Sequence, residues 1–430
     1  MKEKIEINPE DCVTSTKIFR IGNTLYRGIS EVDIATPSVG VIAKLLDPSL
    51  GVRDPRFERI TVDWEKFHNA GLVSATISNF FSDEFPVILE LETIDFISYY
   101  PEWSSAMRMD AALMMLDLQK ALIENGLCIF DGHYFNVLFD YTRPVFIDHH
   151  SIVNLSLNLA WYPEFFGLFM RPFFTTAEEG DTFWKDLTDR TISDVEKRKD
   201  YEGFQEMFLQ LIDEARNKLA SFEVTAKTTP WSGYPLTSNE PSNNKERVPD
   251  QLLRRLYVDG MTVIDFGANR GWFSKLASRI GYRVVAVELD DSCMTELYLD
   301  GKQSSAKILP LVGNFLIPTP VTGKHLKMYD RLRCDISLSM ALVHHLVFAQ
   351  RADFPTIASL LDKFTKTHAI VEFPSENDGY VKSWLLSEHN HQIGTWYNID
   401  NLINEMSVYF TKHEIFDSYP KGRQIILFSR

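Results

Sequence analysis

One stretch of this chain limits what it can fold into more than any other. The segment Val263-Ile-Asp-Phe-Gly-Ala-Asn-Arg-Gly271 joins a β-branched apolar run to a turn with two glycines, and a helical pattern follows. A second apolar run then ends at Glu288. A strand, a glycine turn, a helix and a strand that ends in an acid form the first half of a nucleotide-binding βαβ unit. The stretch therefore predicts a site for a nucleoside cofactor.

The residues of this stretch suit such a site for chemical reasons. Glycine at positions 267 and 271 removes the Cβ that would keep a ligand away from the backbone. The amides at the start of the following helix can donate hydrogen bonds to an anionic or carboxylate group. The carboxylate of Glu288 can accept hydrogen bonds from both hydroxyls of a ribose. These features leave open which nucleoside cofactor binds.

The second half of the chain alternates predicted strands and helices, which indicates a mostly parallel sheet. We predict strands at 261–266, 283–288, 307–312, 334–341 and 368–373, and helices near 272–281, 291–300, 351–366, 378–388 and 399–406. Apolar runs at 407–416 and 423–429 would form an antiparallel hairpin at the sheet edge. The fold class of residues 251–430 is therefore α/β, a doubly wound Rossmann-like sheet with an antiparallel edge hairpin.

Two features favour S-adenosylmethionine (SAM) over a nicotinamide dinucleotide as the cofactor. Dinucleotide-binding enzymes carry G-x-G-x-x-G, whereas this turn reads Asp265-Phe-Gly-Ala-Asn-Arg-Gly271. An acid ahead of the glycines would repel a pyrophosphate but attract a sulfonium and an amino group. The edge hairpin is also typical of a class I SAM-dependent methyltransferase. We therefore predict methyl transfer rather than hydride transfer.

The first half, residues 1–226, contains a segment that resembles the catalytic region of the protein-kinase-like fold. Predicted strands and a helix over Glu102–Asn125 precede Asp131, Asn136 and Asp148, and each of these three residues lies beside an apolar run. The resemblance implies that Asp131 orients an acceptor hydroxyl and that Asn136 and Asp148 hold magnesium, and so implies Mg-ATP. However, no glycine-rich loop is evident, and Val41-Ile-Ala-Lys44 has a helical rather than a strand context. We predict an α+β kinase-like domain that is degenerate.

Composition narrows the class of protein further. The net charge of −15 argues against a nucleic-acid-binding protein. The four cysteines are scattered, as expected in a reducing cytoplasm. The apolar segment 155–174 is interrupted by prolines and charges, so we expect no membrane span. A Pro- and Ser-rich stretch at 227–250, with Trp231 and Tyr234, is predicted to connect the two domains.

The whole chain resembles the bacterial family of nodulation-protein (NoeA-like) methyltransferases. The landmarks of this resemblance lie in both halves: Leu89-Glu-Leu-Glu, Ile97-Ser-Tyr-Tyr-Pro-Glu-Trp103, Asp110-Ala-Ala-Leu, Leu116-Asp-Leu-Gln119, Arg143-Pro-Val-Phe-Ile-Asp148, Asp265-Phe-Gly-Ala-Asn-Arg-Gly271, Ala341-Leu-Val-His-His-Leu346 and Val371-Glu-Phe-Pro374. The resemblance implies SAM-dependent methylation, with sugars and glycoconjugates as plausible acceptors.

The resemblance also implies roles for particular residues. Asp265, Gly267 and Gly271 would line the methionine end of SAM, and Glu288 would hold the ribose. Asn314, after the third strand of the sheet, would face the adenine in a position where Asp is common. Asn269 stands where the wider superfamily often has a middle glycine, so this turn must accommodate a side chain.

Three residues are candidates for the chemistry on the acceptor. His344 and His345 follow the fourth predicted strand and Glu372 ends the fifth, so all three lie at the carboxyl edge of the sheet, where ligands bind in open α/β folds. A histidine can remove the proton of an attacking hydroxyl near neutral pH. Glu372 could orient the histidine, bind the acceptor or cap a helix. We expect no metal, because methyl transfer from a sulfonium does not need one.

Three hypotheses follow. The first is a cytoplasmic SAM-dependent O-methyltransferase that acts on a carbohydrate, a glycoconjugate or a related small metabolite. The second is a bifunctional enzyme that phosphorylates and then methylates a glycan end, since the domain pairing resembles O-antigen chain-terminating kinase–methyltransferases. The third is a protein that binds SAM without catalysis. The acceptor atom and the oligomeric state cannot be read from the sequence.

Overall fold

The computed structural model forms two compact units. It describes residues 2–8, 12, 17–22, 24–36, 40–50, 60, 62–155, 161–197, 201–224, 241–304, 306–320 and 326–430. The first unit comprises Met1–Tyr100 and Ala106–Val224, and the second comprises Pro101–Ser105 and Thr225–Arg430. Residues 227–240 of the predicted connection, with Trp231 and Tyr234, lie outside the described residues. The rest of that stretch includes the first part of a helix, Asn244–Leu256.

Unit 1 is an α+β structure whose largest sheet has four antiparallel strands in the order β2-β3-β6-β4. Its apolar core consists of side chains from this sheet and from the strands that follow the long helix. The strands are β1 (Glu3–Lys4), β2 (Ile18–Ile21), β3 (Thr24–Ile29), β4 (Ala75–Ile77), β5 (Phe80–Phe81), β6 (Val87–Leu91), β7 (Leu127–Ile129), β8 (Val137–Asp140), β9 (Arg143–Phe146) and β10 (Ile152–Asn154).

The helices of unit 1 include the predicted long helix, which begins later than its sequence pattern indicated. It starts at Ser105, because Tyr100–Glu102 forms a separate 3-10 turn. The α-helices are α1 (Glu31–Ala35), α2 (Val41–Leu46), α3 (Trp64–Asn69), α4 (Ser105–Ile123), α5 (Trp161–Phe165), α6 (Ala177–Lys197) and α7 (Tyr201–Ala220), and a π-helical turn covers Phe166–Met170. Lys44 lies on α2, as its context predicted. The kinase-like assignment of this unit stays a prediction.

Unit 2 contains the predicted doubly wound sheet. Its strand order is β13-β12-β11-β14-β15-β17-β16, and all neighbouring strands are parallel except that β17 pairs antiparallel with both β15 and β16. The strands are β11 (Thr262–Phe266), β12 (Arg283–Glu288), β13 (Ile308–Val312), β14 (Cys334–Ser339), β15 (Thr365–Pro374), β16 (Lys412–Asp417) and β17 (Arg423–Ser429). The Rossmann-like sheet and its antiparallel edge hairpin are therefore confirmed.

The helices of unit 2 pack against this sheet between successive strands. The helix α9 contacts β11 and β12, whereas α13 contacts β14 and β15. The helices are α8 (Asn244–Leu256), α9 (Trp272–Ile280), α10 (Asp291–Lys302), α11 (Met328–Arg331), α12 (Val343–Phe348), α13 (Phe354–Phe364), α14 (Gly379–Leu385), α15 (His391–Gly394) and α16 (Ile399–Met406).

The strand order decides where unit 2 can bind a ligand. The chain proceeds from β11 outward to β12 and β13, then returns to place β14 on the other side of β11. Helices that leave β11 and β14 in opposite directions open a crevice at the carboxyl ends of these strands, and ligands of open α/β sheets bind in that crevice. No helix in the described ranges is long and apolar enough to cross a membrane.

Candidate functional site

A pocket lies at the carboxyl edge of the unit 2 sheet. It contains about 300 Å³ of space between the protein atoms, part of which is open to solvent. Its walls come from the ends of β11, β12 and β13 and from the segment after β14: Phe266, Gly267, Val287, Glu288, Leu289, Gly313, Asn314, Phe315, Leu342, Leu346 and Gln350. Of the six residues predicted to bind the cofactor, the structure brings Gly267, Glu288 and Asn314 together here.

Gly267 forms part of the pocket wall in a conformation that favours glycine. Its φ of +70° lies in the left-handed region, and a Cβ at this position would meet Leu342 Cδ1 at 3.2 Å. The amide of Gly267 donates to the carbonyl of Val287, at the end of the neighbouring strand. The turn is thus fixed against β12, and the bare Cα of Gly267 packs closely against Leu342, another residue of the pocket wall.

Glu288 is held by the backbone around it. Its Oε2 accepts a hydrogen bond from the amide of Asn269 at 3.0 Å, and its Oε1 accepts from the amides of Leu289 at 2.6 Å and Asp290 at 3.2 Å. Burial raises the pKa of Glu288. A carboxylate oxygen has more than one lone pair, so the fixed carboxylate can still accept hydrogen bonds from ribose hydroxyls.

Asn269 connects the glycine turn to Glu288 through its backbone. Its φ is +50°, a conformation that Asn adopts more readily than most residues. Its side-chain oxygen accepts from the amide of Arg270 at 2.8 Å, which stabilises the turn locally. The residue in place of a middle glycine therefore supports the turn, and it contributes an amide to Glu288 rather than a side chain to the pocket wall.

Asn314 also lines the pocket and is oriented by a residue that the sequence did not reveal. Its Nδ2 donates to Gln350 Oε1 at 3.0 Å, and its Oδ1 accepts from the amide of Leu316 at 2.9 Å. Gln350 follows α12 and carries no motif, so only the fold shows that it faces Asn314. The same holds for Leu342 and Leu346, which the sequence presents as ordinary apolar residues.

Asp265 and Gly271 lie outside the group of residues that line this pocket. Asp265 is 1% exposed, and its Oδ2 accepts a hydrogen bond from Ser274 Oγ at 2.6 Å. Burial raises its pKa to about 7, although the hydrogen bond from Ser274 opposes that shift. Gly271 has a φ of +75°, and a Cβ there would meet Leu297 Cδ1 of α10 at 2.6 Å. The left-handed φ and the closeness of Leu297 both favour glycine at this position.

The two candidate histidines lie on α12, between the pocket residues Leu342 and Leu346. His344 is 3% exposed, and burial together with His345, Arg423 and Lys245 lowers its pKa to about 2. His345 is partly exposed, and burial followed by the charge of Arg423 lowers its pKa. Both rings contact Trp384, at centroid distances of 5.6 and 5.3 Å. Both imidazoles are therefore neutral at pH 7, and His345 is the more accessible of the two.

Glu372 lies within a buried network of charges that the sequence did not predict. It is fully buried, and its Oε1 accepts from Ser418 Oγ at 2.9 Å. Its Oε2 lies 3.7 Å from both Lys245 Nζ and Arg423 Nη1, and it makes no hydrogen bond within the described part of the chain. Arg423 also donates to Asp378 Oδ2 at 2.7 Å. Two cations and two carboxylates thus balance within this network.

The three kinase-like candidates lie in unit 1, and each of them contacts another residue there. Asp148 Oδ1 forms an ion pair with Arg27 Nη2 at 3.2 Å, and both residues are buried. Asn136 Nδ2 donates to the carbonyl of Asp131 at 3.3 Å. Asp131 hydrogen-bonds Glu164, and burial followed by this contact raises the pKa of Glu164 to about 7. Asp131 and Asn136 are thus adjacent, while Asp148 is neutralised by an arginine.

Metal coordination finds no support in the described ranges. They contain no group of three or more His, Cys, Asp or Glu side chains that could hold a metal ion. His149 is buried, with its Nε2 2.8 Å from the carbonyl oxygen of Val73. Asp378 accepts hydrogen bonds from the amides of Tyr380 and Val381 and thereby caps α14.

Comparison with known proteins gives one curated relative with similarity along most of the chain. The chain is 23% identical over 403 residues to nodulation protein NoeA of Rhizobium meliloti (strain 1021), a match that covers 80% of this chain and 83% of NoeA. No protein-family model matches the chain. This similarity extends across both halves, in agreement with the distribution of the landmark residues.

Solved structures similar to this chain include SAM-dependent methyltransferases. A TehB-like SAM-dependent methyltransferase from Corynebacterium glutamicum ATCC 13032 Kitasato is 11% identical, with a TM-score of 0.30, and the match covers 42% of this chain and 86% of that one. Magnesium protoporphyrin IX methyltransferase from Synechocystis PCC 6803 with bound SAH is 13% identical, with a TM-score of 0.31, and the match covers 43% and 81%.

The strand order, the glycine turn and the acid at the end of β12 agree with the resemblance to NoeA. Together they support a methyltransferase enzyme that is a homologue of NoeA.

Proposed function

We propose that this NoeA homologue transfers the methyl group of SAM to a hydroxyl group of a carbohydrate, a glycoconjugate or a related small metabolite. The observation that carries the proposal is the position of His345, a neutral imidazole on α12 beside Leu342 and Leu346 of the pocket wall. A hydroxyl is a weak nucleophile until a base removes its proton, and a neutral imidazole can be that base. An acceptor that is already nucleophilic would not need it.

The pocket suits the cofactor that the sequence predicts. Gly267 lines the pocket without a side chain, the carboxylate of Glu288 can accept from ribose hydroxyls, and Asn314 can pair with an adenine edge. Leu289 is largely exposed at the pocket and offers an apolar surface for a base. When bound, SAM supplies a methyl group on a positively charged sulfur.

In the proposed mechanism, His345 accepts the proton of the acceptor hydroxyl as that oxygen attacks the methyl carbon in line. The new bond is C–O, the broken bond is C–S, and the electron pair of the latter stays on sulfur. The residues of the chain hold the acceptor in line with the methyl group, which accounts for much of the rate in a displacement of this kind. His345 then releases its proton to solvent.

The charge network around Glu372 adds no net positive charge to this part of unit 2. Lys245 and Arg423 would attract an anion, but Glu372 and Asp378 lie beside them and cancel their charge. Their balanced charges give an anionic acceptor no net attraction there. Comparison of glycans and metabolites by mass spectrometry in wild-type and deletion strains would identify the species that lacks one methyl group.

Replacement of His345 by alanine should lower kcat by about 10²–10⁴-fold, the usual contribution of a general base. Because burial and Arg423 hold the pKa of His345 below 6.5, the wild-type rate should stay level through neutral pH. It should fall only as acid protonates this imidazole. Steady-state kinetics with an acceptor found by the strain comparison measures both effects, and His344→Asn is the control because burial disfavours proton uptake at His344.

The affinity for SAM, measured by calorimetry, should be the same in His345→Ala and wild type. An unchanged kcat in the folded His345→Ala variant would remove this residue from the mechanism. Binding of SAM by the wild type without methylation of any acceptor extract would instead favour the alternative of a SAM-binding protein without catalysis.

We infer that unit 1 does not transfer phosphate. The carboxylate that would hold magnesium is paired with Arg27, and the one that would orient a hydroxyl is hydrogen-bonded to Glu164. Incubation of the full chain with Mg²⁺, γ-labelled ATP and a glycan extract should give no more labelled product than the Asp148→Ala variant. Labelled product that disappears in Asp148→Ala would establish the bifunctional alternative.

A further inference from the structure

A short segment from the first half of the chain is built into unit 2. This segment, Pro101–Ser105, is called the strap here. Glu102, Trp103 and Ser104 are each 0% exposed. The strap overlaps the end of the landmark segment Ile97–Trp103. Neither the fold of unit 1 nor the proposed chemistry explains the role of this landmark. Burial of this kind raises the question of what the strap holds in place.

One end of the strap contacts the loop that begins at Glu288, the residue proposed to bind the ribose of SAM. The amide of Ser105 donates to Asp291 Oδ1 at 2.8 Å, and its hydroxyl donates to Asp291 Oδ2 at 2.8 Å. Asp291 is the first residue of α10, directly after the short turn that begins at Glu288. The amides of Leu289 and Asp290 in this turn are the ones that hold the Glu288 carboxylate.

The other end of the strap contacts the loop that begins at Asn314, the residue proposed to bind the adenine of SAM. The hydroxyl of Thr319 donates to Glu102 Oε1, and Arg331 Nη1 donates to Glu102 Oε2 at 3.1 Å. Arg331 Nη2 also donates to the carbonyl of Thr319 at 3.3 Å, so both the side chain and the backbone of Thr319 are fixed. The same loop begins at Asn314, and the amide of Ile317 donates to the Asn314 carbonyl at 3.0 Å.

We propose that the strap positions both cofactor loops, Glu288–Asp291 and Asn314–Thr319, so that the SAM affinity of unit 2 depends on residues from the first half of the chain. The inference rests on the proposed binding of SAM in this pocket. Loops that are already ordered lose less conformational entropy when a ligand binds. The strap residues are positioning residues, because they touch the loops and not the pocket wall.

This arrangement predicts a specific kinetic pattern. Loss of the strap contact to either loop should raise the KM for SAM. The kcat at saturating SAM should stay unchanged, because the residues proposed to act on the acceptor lie on α12 and β15 and make none of these contacts. The two loops hold the ribose and adenine ends, so the affinity for methylthioadenosine should fall by the same factor as the affinity for SAM. General loss of packing in unit 2 would not produce this matched pattern.

The test uses the full chain with Ser105→Ala and, separately, Thr319→Val, and measures Kd for SAM and for methylthioadenosine by calorimetry. Loss of one hydrogen bond to a carboxylate should weaken both affinities by about tenfold. Ser105→Thr keeps the hydroxyl and should restore most of the affinity. Ser407→Ala is the matched control, because its hydroxyl donates to the carbonyl of Ile403 at the end of α16.

Each outcome separates the strap from the cofactor assignment. Wild-type affinity in both folded variants would overturn the strap inference and leave SAM binding intact. An equal loss of affinity in Ser407→Ala would also overturn it, since the effect would then be general. Failure of the wild type itself to bind SAM would overturn the proposed function and the inference with it. Weakened binding in the two strap variants alone would support the inference.

Discussion

Replacement of Gly267 by valine is expected to abolish the binding of SAM. The backbone at this position has a φ of +70°, and a Cβ would stand 3.2 Å from Leu342 Cδ1. Valine adds two methyl groups beyond that Cβ, in a wall of the pocket whose space between the protein atoms is about 300 Å³. The ligand and the side chain would compete for the same space, so calorimetry should detect no SAM binding at concentrations that saturate the wild type.

Gly260→Val is the matched control for this experiment. Gly260 also has a left-handed φ, +80°, but a Cβ there would meet nothing within 4 Å. The backbone strain of a non-glycine residue, about 1–2 kcal/mol, is therefore common to the two variants. Both should melt at a lower temperature than the wild type, and only Gly267→Val should lose the cofactor. Unchanged SAM affinity in folded Gly267→Val would falsify the cofactor assignment of this pocket.

Replacement of Glu102 by alanine should strongly destabilise unit 2. Glu102 and Arg331 form an ion pair in which both side chains are 0% exposed. Removal of the carboxylate leaves the guanidinium buried without its anionic partner, and such a change costs roughly 3–5 kcal/mol. Urea denaturation of the full chain can be monitored by tryptophan fluorescence. The unfolding transition of unit 2 should occur at a lower urea concentration in Glu102→Ala than in the wild type.

The exposed ion pair between Arg255 and Glu414 provides the control for burial. Its two side chains are 47% and 53% exposed, although the nitrogen–oxygen distance is 2.7 Å. Glu414→Ala should therefore change the free energy of unfolding by no more than about 1 kcal/mol. A loss of similar size in Glu102→Ala and Glu414→Ala would mean that the buried pair contributes little. Glu102→Gln, which keeps the shape of the side chain, separates the effect of charge from that of packing.

The sequence predicted the βαβ unit well because its determinants are local. The glycine turn, the apolar runs and Glu288 occur within one short stretch, and each strand or helix there follows the periodicity of its own side chains. The alternation of elements also predicted the sheet and its edge hairpin, since short connections between alternating strands and helices permit few topologies. Gly267, Glu288 and Asn314 accordingly converge on one pocket.

The limits of sequence interpretation appear where partners are distant along the chain. The apolar pattern predicted a helix from Glu102, but Glu102 forms a 3-10 turn and pairs with Arg331, 229 positions away. The environment of Glu372 depends in the same way on Lys245 and Arg423, which belong to α8 and β17. The residues around each of these charged side chains do not indicate which distant residue it pairs with.

The choice between His344 and His345 as the base also depends on both the local sequence and the tertiary structure. The pair His344-His345 after a strand indicated an acid–base function from residue type and position alone. Only the packing distinguishes the two rings, since His344 lies deeper and its pKa falls to about 2. The preference for His345 depends on exposure, which is a property of the folded chain.

The sequence by itself determined the fold class of unit 2, the class of cofactor to test and the edge of the sheet where the site lies. Periodicity, turn chemistry and the alternation of strands with helices depend on residues close together in the chain, so they can be read from one sequence. Only the tertiary structure decided which charges balance around Glu372, why glycine is favoured at position 271, and that the strap belongs to unit 2. These facts depend on burial and on contacts between remote segments, which remove charges from water and make their pairing decisive.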